Sequence, residues 1–268
     1  MKLGVVSNPN IEKATDVAKK VIDFLKDKAE LSVEVELAAK LGLEGVSLAE
    51  IKPDILIIIG GDGTVLWALQ RTHSKVFCIN AGVMGFLTEA SPENALEGLE
   101  RILKGDYIID KRAKLKTILD GERLFDCTNE AVIHTAHVAK MRHFEIKVDG
   151  NVLADIRADG IIVATPTGST CYAMSVGSPL VDPRVAAFII APIAPFKLSA
   201  RPYVVPIDSE ITIKLLEPAK PCVLVLDGQY ETQVQSEATM LFTASENPAE
   251  LVRFSRDFYT RISEKLIL

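Results

Sequence analysis

Three glycines, an aspartate and a threonine, Gly60-Gly61-Asp62-Gly63-Thr64, follow directly on the apolar run Ile55-Leu56-Ile57-Ile58-Ile59. The run reads as a buried strand and residues 65–71 as a helix, so the chain turns from strand to helix at these five residues. Glycines there let the backbone approach a ligand closely. Backbone N–H groups gathered at a helix N-terminus suit an anion such as phosphate. Asp62 would be held at the carboxyl end of a parallel strand, where open α/β sheets bind their ligands. The stretch carries no Gly-Lys-Ser/Thr of a Walker A loop and lacks the G-x-G-x-x-G spacing of a dinucleotide fingerprint. It reads equally as a sharp turn in which Asp62 or Thr64 caps the helix, and its chemistry alone leaves both readings open.

A second strand-then-turn stretch spans Arg157, Asp159-Gly160, the apolar residues 161–164 and then Thr165-Pro166-Thr167-Gly168-Ser169-Thr170-Cys171-Tyr172. Thr165, Thr167, Ser169 and Thr170 set short donors and acceptors around Gly168, which suits sugar hydroxyls or phosphate oxygens. Tyr172 adds an aromatic face for a flat ring. The plainer alternative is a polar loop whose hydroxyls satisfy their own backbone. No G-x-S-x-G elbow surrounds Ser169, which argues against a serine nucleophile. Asn129-Glu130 offers an amide donor and acceptor beside a carboxylate, though such a pair alone fits a cap or a surface as well.

Strands and helices alternate through the elements that must position these groups. Residues 3–7 read as a strand before the turn Asn8-Pro9-Asn10, and residues 11–28 place Ala14, Val17, Ala18, Val21, Ile22 and Leu25 at helical spacing. Residues 31–37 alternate like a strand, residues 55–59 and 76–79 read as buried strands, and Ser91-Pro92-Glu93 starts a helix that runs to about Leu103. Beyond residue 107 helical spacing gives way to strand-like runs at 114–119, 124–128, 144–148, 161–164, 211–216 and 223–226. Three of them run into Asp120-Gly121, Asp149-Gly150 and Asp227-Gly228. Residues 247–268 regain helical character, with Leu251, Phe254, Phe258 and Ile262 on one side. The expected architecture is a Rossmann-like α/β domain of residues 1–106 plus 247–268, completed by a returning C-terminal helix. A β-rich, sandwich-like domain of residues 107–246 lies between its two pieces.

The composition of the 268 residues narrows the function classes: 25% charged and 48% hydrophobic residues describe an ordinary globular chain. A net charge of −6 argues against broad nucleic-acid binding while leaving room for a local basic pocket. No apolar run reaches the length of a membrane span, and the N-terminus enters a strand directly, unlike a signal peptide. Cys78, Cys127, Cys171 and Cys222 are widely spaced, as expected of scattered thiols in a reducing cytoplasm. His73, His134, His137 and His143 read as surface or polar-loop residues, since His134-x-x-His137 has no acidic ligand beside it.

Gly60-Gly61-Asp62-Gly63-Thr64 resembles the signature of a superfamily that includes NAD kinases, diacylglycerol and sphingosine kinases, and 6-phosphofructokinases. Asp159-Gly160 through Tyr172 narrows this. It resembles the NAD kinase signature in which a D-G-hydrophobic run leads into T-P-T-G-S-T-A-Y, with Cys171 where alanine is usual. Asn129-Glu130, Gly82-Val83-Met84-Gly85-Phe86-Leu87, residues 177–183, Leu198-Ser199-Ala200-Arg201-Pro202 and Asp227-Gly228-Gln229 match further motifs of that family. Phe196-Lys197 departs from it, standing where many members have Pro-His-Thr.

The resemblance implies transfer of a γ-phosphoryl group from ATP, or from polyphosphate, to the 2′-hydroxyl of the adenosine ribose of NAD. It implies Asp62 as proton acceptor, donor phosphates at Gly60, Gly61, Gly63 and Thr64, and Mg²⁺ or another divalent cation held mainly by phosphate oxygens and water. NAD contacts are implied for Asp62, Gly63, Asn129, Glu130, Lys140, Arg157, Asp159 and Gln229. Thr170, Cys171, Tyr172, Ala173, Met174 and Ser175 join them. A cytoplasmic homodimer or homotetramer is implied, with Asp159 supplied across a subunit interface. Two other readings differ in what they would keep. A lipid or sugar kinase of the same superfamily should lack residues 165–172, and a non-catalytic NAD(P)-binding regulator has no use for Asp62.

Overall fold

The computed structural model describes the chain apart from Pro9, Val83, Met84, Val138, Ala139, residues 217–220 and Leu268. Pro9 of the expected turn, and Val83 and Met84 of the 82–87 motif, therefore lie outside the described residues. The chain divides into two compact units, Met1–Lys111 with Ala249–Leu268, and Arg112–Pro248.

The first unit opens with β1 (Lys2–Ser7), α1 (Glu12–Leu25), β2 (Glu30–Val33), α2 (Val35–Leu41), β3 (Ile55–Gly60), α3 (Asp62–Leu69), β4 (Lys75–Asn80), α4 (Ala95–Leu103) and β5 (Ile108–Arg112). Strands β1 to β4 pair in parallel. Every residue of β3 is buried. A strand's period of two sends Ile55, Ile57 and Ile59 against α1 and α4, while Leu56 and Ile58 meet α3 on the opposite face. Helix α1 answers with Ala14, Val17, Ala18, Val21 and Leu25 along its buried side.

The strand expected over 31–37 is cut short at Val33 and a helix begins at Val35. Glu34 makes that switch: its side chain accepts from the N–H groups of Glu36 (3.0 Å) and Leu37 (3.2 Å), an N-cap of carboxylate chemistry.

The second unit runs through β6 (Leu115–Leu119), β7 (Glu122–Arg123), β8 (Glu130–Thr135), β9 (Arg142–Val148), β10 (Asn151–Ala158), β11 (Gly160–Ala164), a 3-10 turn at Thr167–Thr170, and α5 (Tyr172–Ser175). It continues with β12 (Ala187–Ile193), β13 (Tyr203–Pro206), β14 (Ile211–Leu216), β15 (Cys222–Leu226), β16 (Tyr230–Val234) and β17 (Thr239–Ala244). Two antiparallel six-stranded sheets result, ordered β10-β9-β14-β17-β6-β7 and β13-β12-β11-β8-β15-β16.

Alternate residues face inward from both sheets. Phe144, Ile146, Ile213 and Phe242 of one pack with Ile133, Val163, Phe188 and Leu224 of the other in one buried cluster. The hairpins at Asp120-Gly121 and Asp149-Gly150 have positive φ at both residues (47° and 87°, 52° and 76°). That is the geometry of a two-residue hairpin, and it is why Asp-Gly was a readable signal there.

After the second unit the chain returns as β18 (Ala249–Arg253) and α6 (Phe258–Ile262), followed by a π-helical turn at Ser263–Ile267. The first sheet is thereby completed in the order β2-β1-β3-β4-β18-β5. Residues 249–253 are thus a strand, not the start of the expected helix. Leu251 packs on one face of the sheet and Val252 on the other, an environment that a strand buried on both faces requires. The boundaries fall after Lys111 and Pro248, beyond the 106 and 246 read from sequence, because β5 joins β18 in the first sheet. Among the described residues no helix is long and apolar enough to cross a membrane.

Ile57 is completely buried at the centre of β3. Ile57→Ala is expected to cost about 2–5 kcal/mol and Ile57→Val about 0.5–1.5 kcal/mol. Urea denaturation measures both, and equal midpoints for the two variants would contradict the packing described.

Candidate functional site

Gly60 ends β3 and Asp62 is the first residue of α3, so the aspartate stands at the carboxyl end of a central parallel strand. Its side chain is not a helix cap. The cap position is Gly61, and the Asp62 carboxylate reaches across to accept from the backbone N–H of Phe86 at 2.7 Å and of Leu87 at 3.1 Å. Two acceptor positions of a carboxylate are thereby filled and others stay open. Gly85 makes the approach possible, because a Cβ there would lie 1.9 Å from Asp62 Oδ1.

The loop bearing Gly85 is tied at both ends. Asn80 and Gly82 exchange two hydrogen bonds of 2.9 Å, and Thr88 Oγ1 accepts from the Gly85 N–H at 3.1 Å. Gly63 is exposed, with Gly61 and Thr64 half-buried beside it. Helix geometry leaves first-turn N–H groups for an external acceptor, although those of Thr64 and Val65 already bond Gly61 O. Cys78 lies beneath on β4, and burial, with the charges of Asp62 and Glu89, pushes its thiol up to about 12, so it stays neutral.

In the second unit Asp227 organises the Asn129-Glu130 pair. Its carboxylate accepts from the backbone N–H groups of Thr128 (2.7 Å), Asn129 (2.7 Å) and Glu130 (3.1 Å). This is why residues 124–128 do not form the strand expected of them: Cys127 makes an isolated bridge to Leu115, and the following N–H groups turn to a carboxylate. Gly168 packs on the same segment, where a Cβ would lie 2.3 Å from the Asn129 carbonyl oxygen. Thr165 fastens the two together, donating from Oγ1 to Thr128 O at 2.6 Å.

The hydroxyls of the 165–170 turn are largely spent on the protein itself. Ser169 donates to Pro166 O (2.7 Å) and Thr170 to Thr167 O (3.2 Å), so what Thr170 still offers a ligand is an acceptor. Asn129 Nδ2 donates to Cys171 Sγ at 3.3 Å, which draws the thiol into this cluster. Among the described residues, Thr128 Oγ1, Asn129 Oδ1 and Glu130 Oε2 are buried without a hydrogen-bond partner.

The other expected contacts do not all gather at Asn129-Glu130. In the register of β8 with β11, Glu130 pairs with Ala164 and His134 with Gly160, and the Asp159 and Lys140 carbonyls bond Thr135. Asp159, Arg157 and Lys140 therefore lie toward the other end of these strands. Tyr172 and Ser175 are exposed on α5, Met174 is half-buried, and Ala173 is fully buried beneath them. Gln229 is exposed on the turn that carries Asp227. Asp159 links β10 to β11, and among the described residues its buried Oδ1 has no hydrogen-bond partner. Arg157 is exposed on β10 of the other sheet, and Lys140 is exposed between β8 and β9. Sequence reasoning missed the anchoring role of Asp227, and it missed Glu89, Arg253 and Arg261, which are charged yet buried in the first unit.

Burial, with repulsion from Asp227, pushes the Glu130 carboxyl up to about 8. Burial also pushes Asp227 up to about 6, held back by its backbone N–H partners and by Lys114. Both carboxyls therefore bind a proton more tightly in the folded chain than in the unfolded one. The stability they contribute is complete below about pH 4 and is lost as pH rises through their folded values. The Tm of the unliganded protein is expected to fall between about pH 5 and pH 8. Glu130→Gln should flatten the upper part of that fall, and an unaltered slope in the variant would rule Glu130 out as its source.

The profile of the ATP-NAD kinase N-terminal domain matches residues 43–107, and that of the ATP-NAD kinase C-terminal domain matches residues 128–254. The NAD kinase of Methanothermobacter thermautotrophicus is 43% identical over 274 residues, covering 100% of this chain and 96% of the relative. That of Thermococcus gammatolerans is 42% identical, covering 99% of each. Among solved structures, an NAD kinase from Archaeoglobus fulgidus in complex with ATP is 30% identical with a TM-score of 0.80, over 99% of this chain and 98% of that one. Yeast NADH kinase complexed with NADH shares the fold, with a TM-score of 0.92 at 21% identity over 100% of this chain and 87% of its own. The chain belongs to the ATP-NAD kinase family.

Proposed function

We propose that this chain transfers the γ-phosphoryl group of ATP to the 2′-hydroxyl of the adenosine ribose of NAD, forming NADP. The observation that carries the reading is the Asp62 carboxylate, fixed by two backbone N–H groups at the end of β3 with acceptor positions to spare. Phosphoryl transfer asks the protein for alignment, charge neutralisation and a partner for the hydroxyl proton. Asp62 takes that proton as the bond from the 2′-oxygen to the γ-phosphorus forms and the bond from that phosphorus to the β-phosphate oxygen of the leaving ADP breaks. Gly60, Gly61, Gly63 and Thr64 offer the donor phosphates a backbone approach beside the N-terminus of α3.

Mg²⁺ would enter with the donor. Phosphate oxygens and water would supply most of its ligands. Its chemistry is neutralisation of the phosphate charge. ATP is favoured over polyphosphate because the relative from Archaeoglobus fulgidus binds ATP.

The second unit holds NAD. Asn129 Oδ1 and Glu130 Oε2 have unused capacity in a buried setting, which supports hydrogen bonds to an adenine amino group and to ribose hydroxyls. Tyr172 offers a stacking face, with Thr170, Cys171, Ala173, Met174 and Ser175 around it, Lys140, Arg157 and Gln229 as further contacts, and Asp159 supplied across a subunit interface. A cytoplasmic homodimer or homotetramer completes the reading. Phe196 and Leu198, 73% and 91% exposed between β12 and β13, are apolar groups that a second subunit would cover.

Purified protein with NAD, ATP and Mg²⁺ is expected to form NADP, and absence of NADP with either ATP or polyphosphate would overturn the reading. Asp62→Asn should lower kcat by about 10²–10⁴-fold with KM for NAD little changed, since an amide cannot take the proton. Near-normal turnover in that variant would remove Asp62 from the chemistry.

A further inference from the structure

The loop that grips Asp62 is gripped in turn by cations from the C-terminal return. Arg253 is 2% and Arg261 7% exposed. From the end of β18, Arg253 donates through Nη1 to the Thr88 carbonyl and to Glu89 Oε2, both at 2.9 Å, and through Nη2 to the Phe86 carbonyl at 3.0 Å. Arg261 of α6 donates through Nη2 to Glu89 Oε2 at 2.7 Å and through Nη1 to the Thr88 carbonyl. Its Nε is held by Asp257 at 2.8 Å. Glu89 Oε1 accepts from the Phe254 N–H at 2.8 Å. Lys265 Nζ, from the final π-helical turn, donates to the Gly85 carbonyl.

These contacts pair off peptide by peptide. The Gly85 carbonyl and the Phe86 N–H belong to one planar peptide group, and the Phe86 carbonyl and the Leu87 N–H belong to the next. Lys265 holds the oxygen of the first group while Asp62 takes its N–H. Arg253 holds the oxygen of the second while Asp62 takes its N–H. A cation on the oxygen also polarises the group and strengthens its N–H as a donor.

We infer that Lys265 and Arg253 are positioning residues for Asp62, acting through the two peptide groups they share with it, with Glu89 holding Arg253 in place and Arg261 holding Glu89. The inference rests on the reading of Asp62 as proton acceptor. Lys265 lies within the fields of Asp62, Arg261, Arg253 and Glu264, and the neutral thiol of Cys78 below within those of Arg253, Asp62 and Glu89. A pure clamp on the C-terminus would require only that the arginines meet Glu89 and Asp257. It gives no reason for a cation to seek the carbonyl behind each N–H that Asp62 uses.

Lys265→Met removes one carbonyl partner near the end of the chain, and Arg253→Lys removes the Nη2 branch while keeping charge. Each is expected to lower kcat by about 10–100-fold, the range that sub-ångström to 1 Å misplacement produces, with KM for NAD and ATP within about twofold. Amide hydrogen exchange should quicken at Phe86 in Lys265→Met and at Leu87 in Arg253→Lys. Unchanged kcat, or unchanged exchange at both amides, overturns the inference. If Arg253→Lys does not fold, Lys265→Met and exchange in the unaltered protein decide, since fast exchange at Phe86 and Leu87 there is equally fatal. Asp62→Asn run in parallel separates the two ideas: retained turnover defeats the reading of Asp62, whereas lost turnover with unaffected Lys265→Met defeats only the positioning.

Discussion

A carboxylate meeting two backbone N–H groups sets the terms for the whole first unit. Asp62 leaves the end of β3 at a helix N-terminus and is held away from the helix by Phe86 and Leu87. That contact demands a loop brought within hydrogen-bond reach, so residue 85 has no space for a side chain. It also turns the carbonyls of the same loop inward, where each unmet buried oxygen would cost about 1–3 kcal/mol. Arginines supply the missing donors, and buried arginines need a counter-charge, which Glu89 provides for both. The chain's return as β18 and α6 is thereby explained by more than sheet completion. It carries the cations that the loop around Asp62 requires.

The second unit solves a related problem with the opposite electrostatic outcome. Asp227 collects the N–H groups of residues 128–130 and so fixes where β8 begins. Glu130 then lies buried near a second carboxylate, and both are pushed toward their protonated forms. Meanwhile Asn129 Oδ1 and Glu130 Oε2 go without partners. Such an arrangement weakens the empty protein, and a ligand that donates to those atoms recovers the loss as binding free energy. The two units thus differ in design. The first surrounds its carboxylate with satisfied groups that fix position, and the second leaves polar capacity open, which suits recognition.

Legibility in the sequence followed the range of the interactions. The five isoleucine and leucine residues of β3 and the glycine-rich turn after them act locally, and both were readable. So were the Asp-Gly hairpins, because positive φ at consecutive residues is a local demand. Asp62 as a fixed carboxylate was readable from its place, but not its partners, since Phe86 and Leu87 are 24 and 25 residues away and offer only backbone. Residues 249–268 misled because Leu251, Phe254, Phe258 and Ile262 match helical spacing by coincidence, while a buried slot between β4 and β5 in the sheet decides the local structure. Glu34 misled in the other direction, as a glutamate cap carries a weaker sequence signal than Ser or Asp. Buried Arg253 and Arg261 had no local signal at all, because a charged residue near a chain end reads by default as solvated.

The glycines separate two kinds of constraint that look alike in sequence. Those of the Asp-Gly turns have positive φ and open space, so a side chain there would meet strain in the backbone alone. Gly85 and Gly168 have the reverse character, with no φ constraint and no room: their Cβ positions fall on Asp62 and on the backbone of Asn129. A substitution at a turn glycine is therefore a matter of stability, spread over the hairpin. One at Gly85 or Gly168 must displace the group that the site positions, so its cost appears in alignment before it appears in folding. Spacing and residue type cannot tell these apart, since the distinction resides in what the fold presses against the glycine.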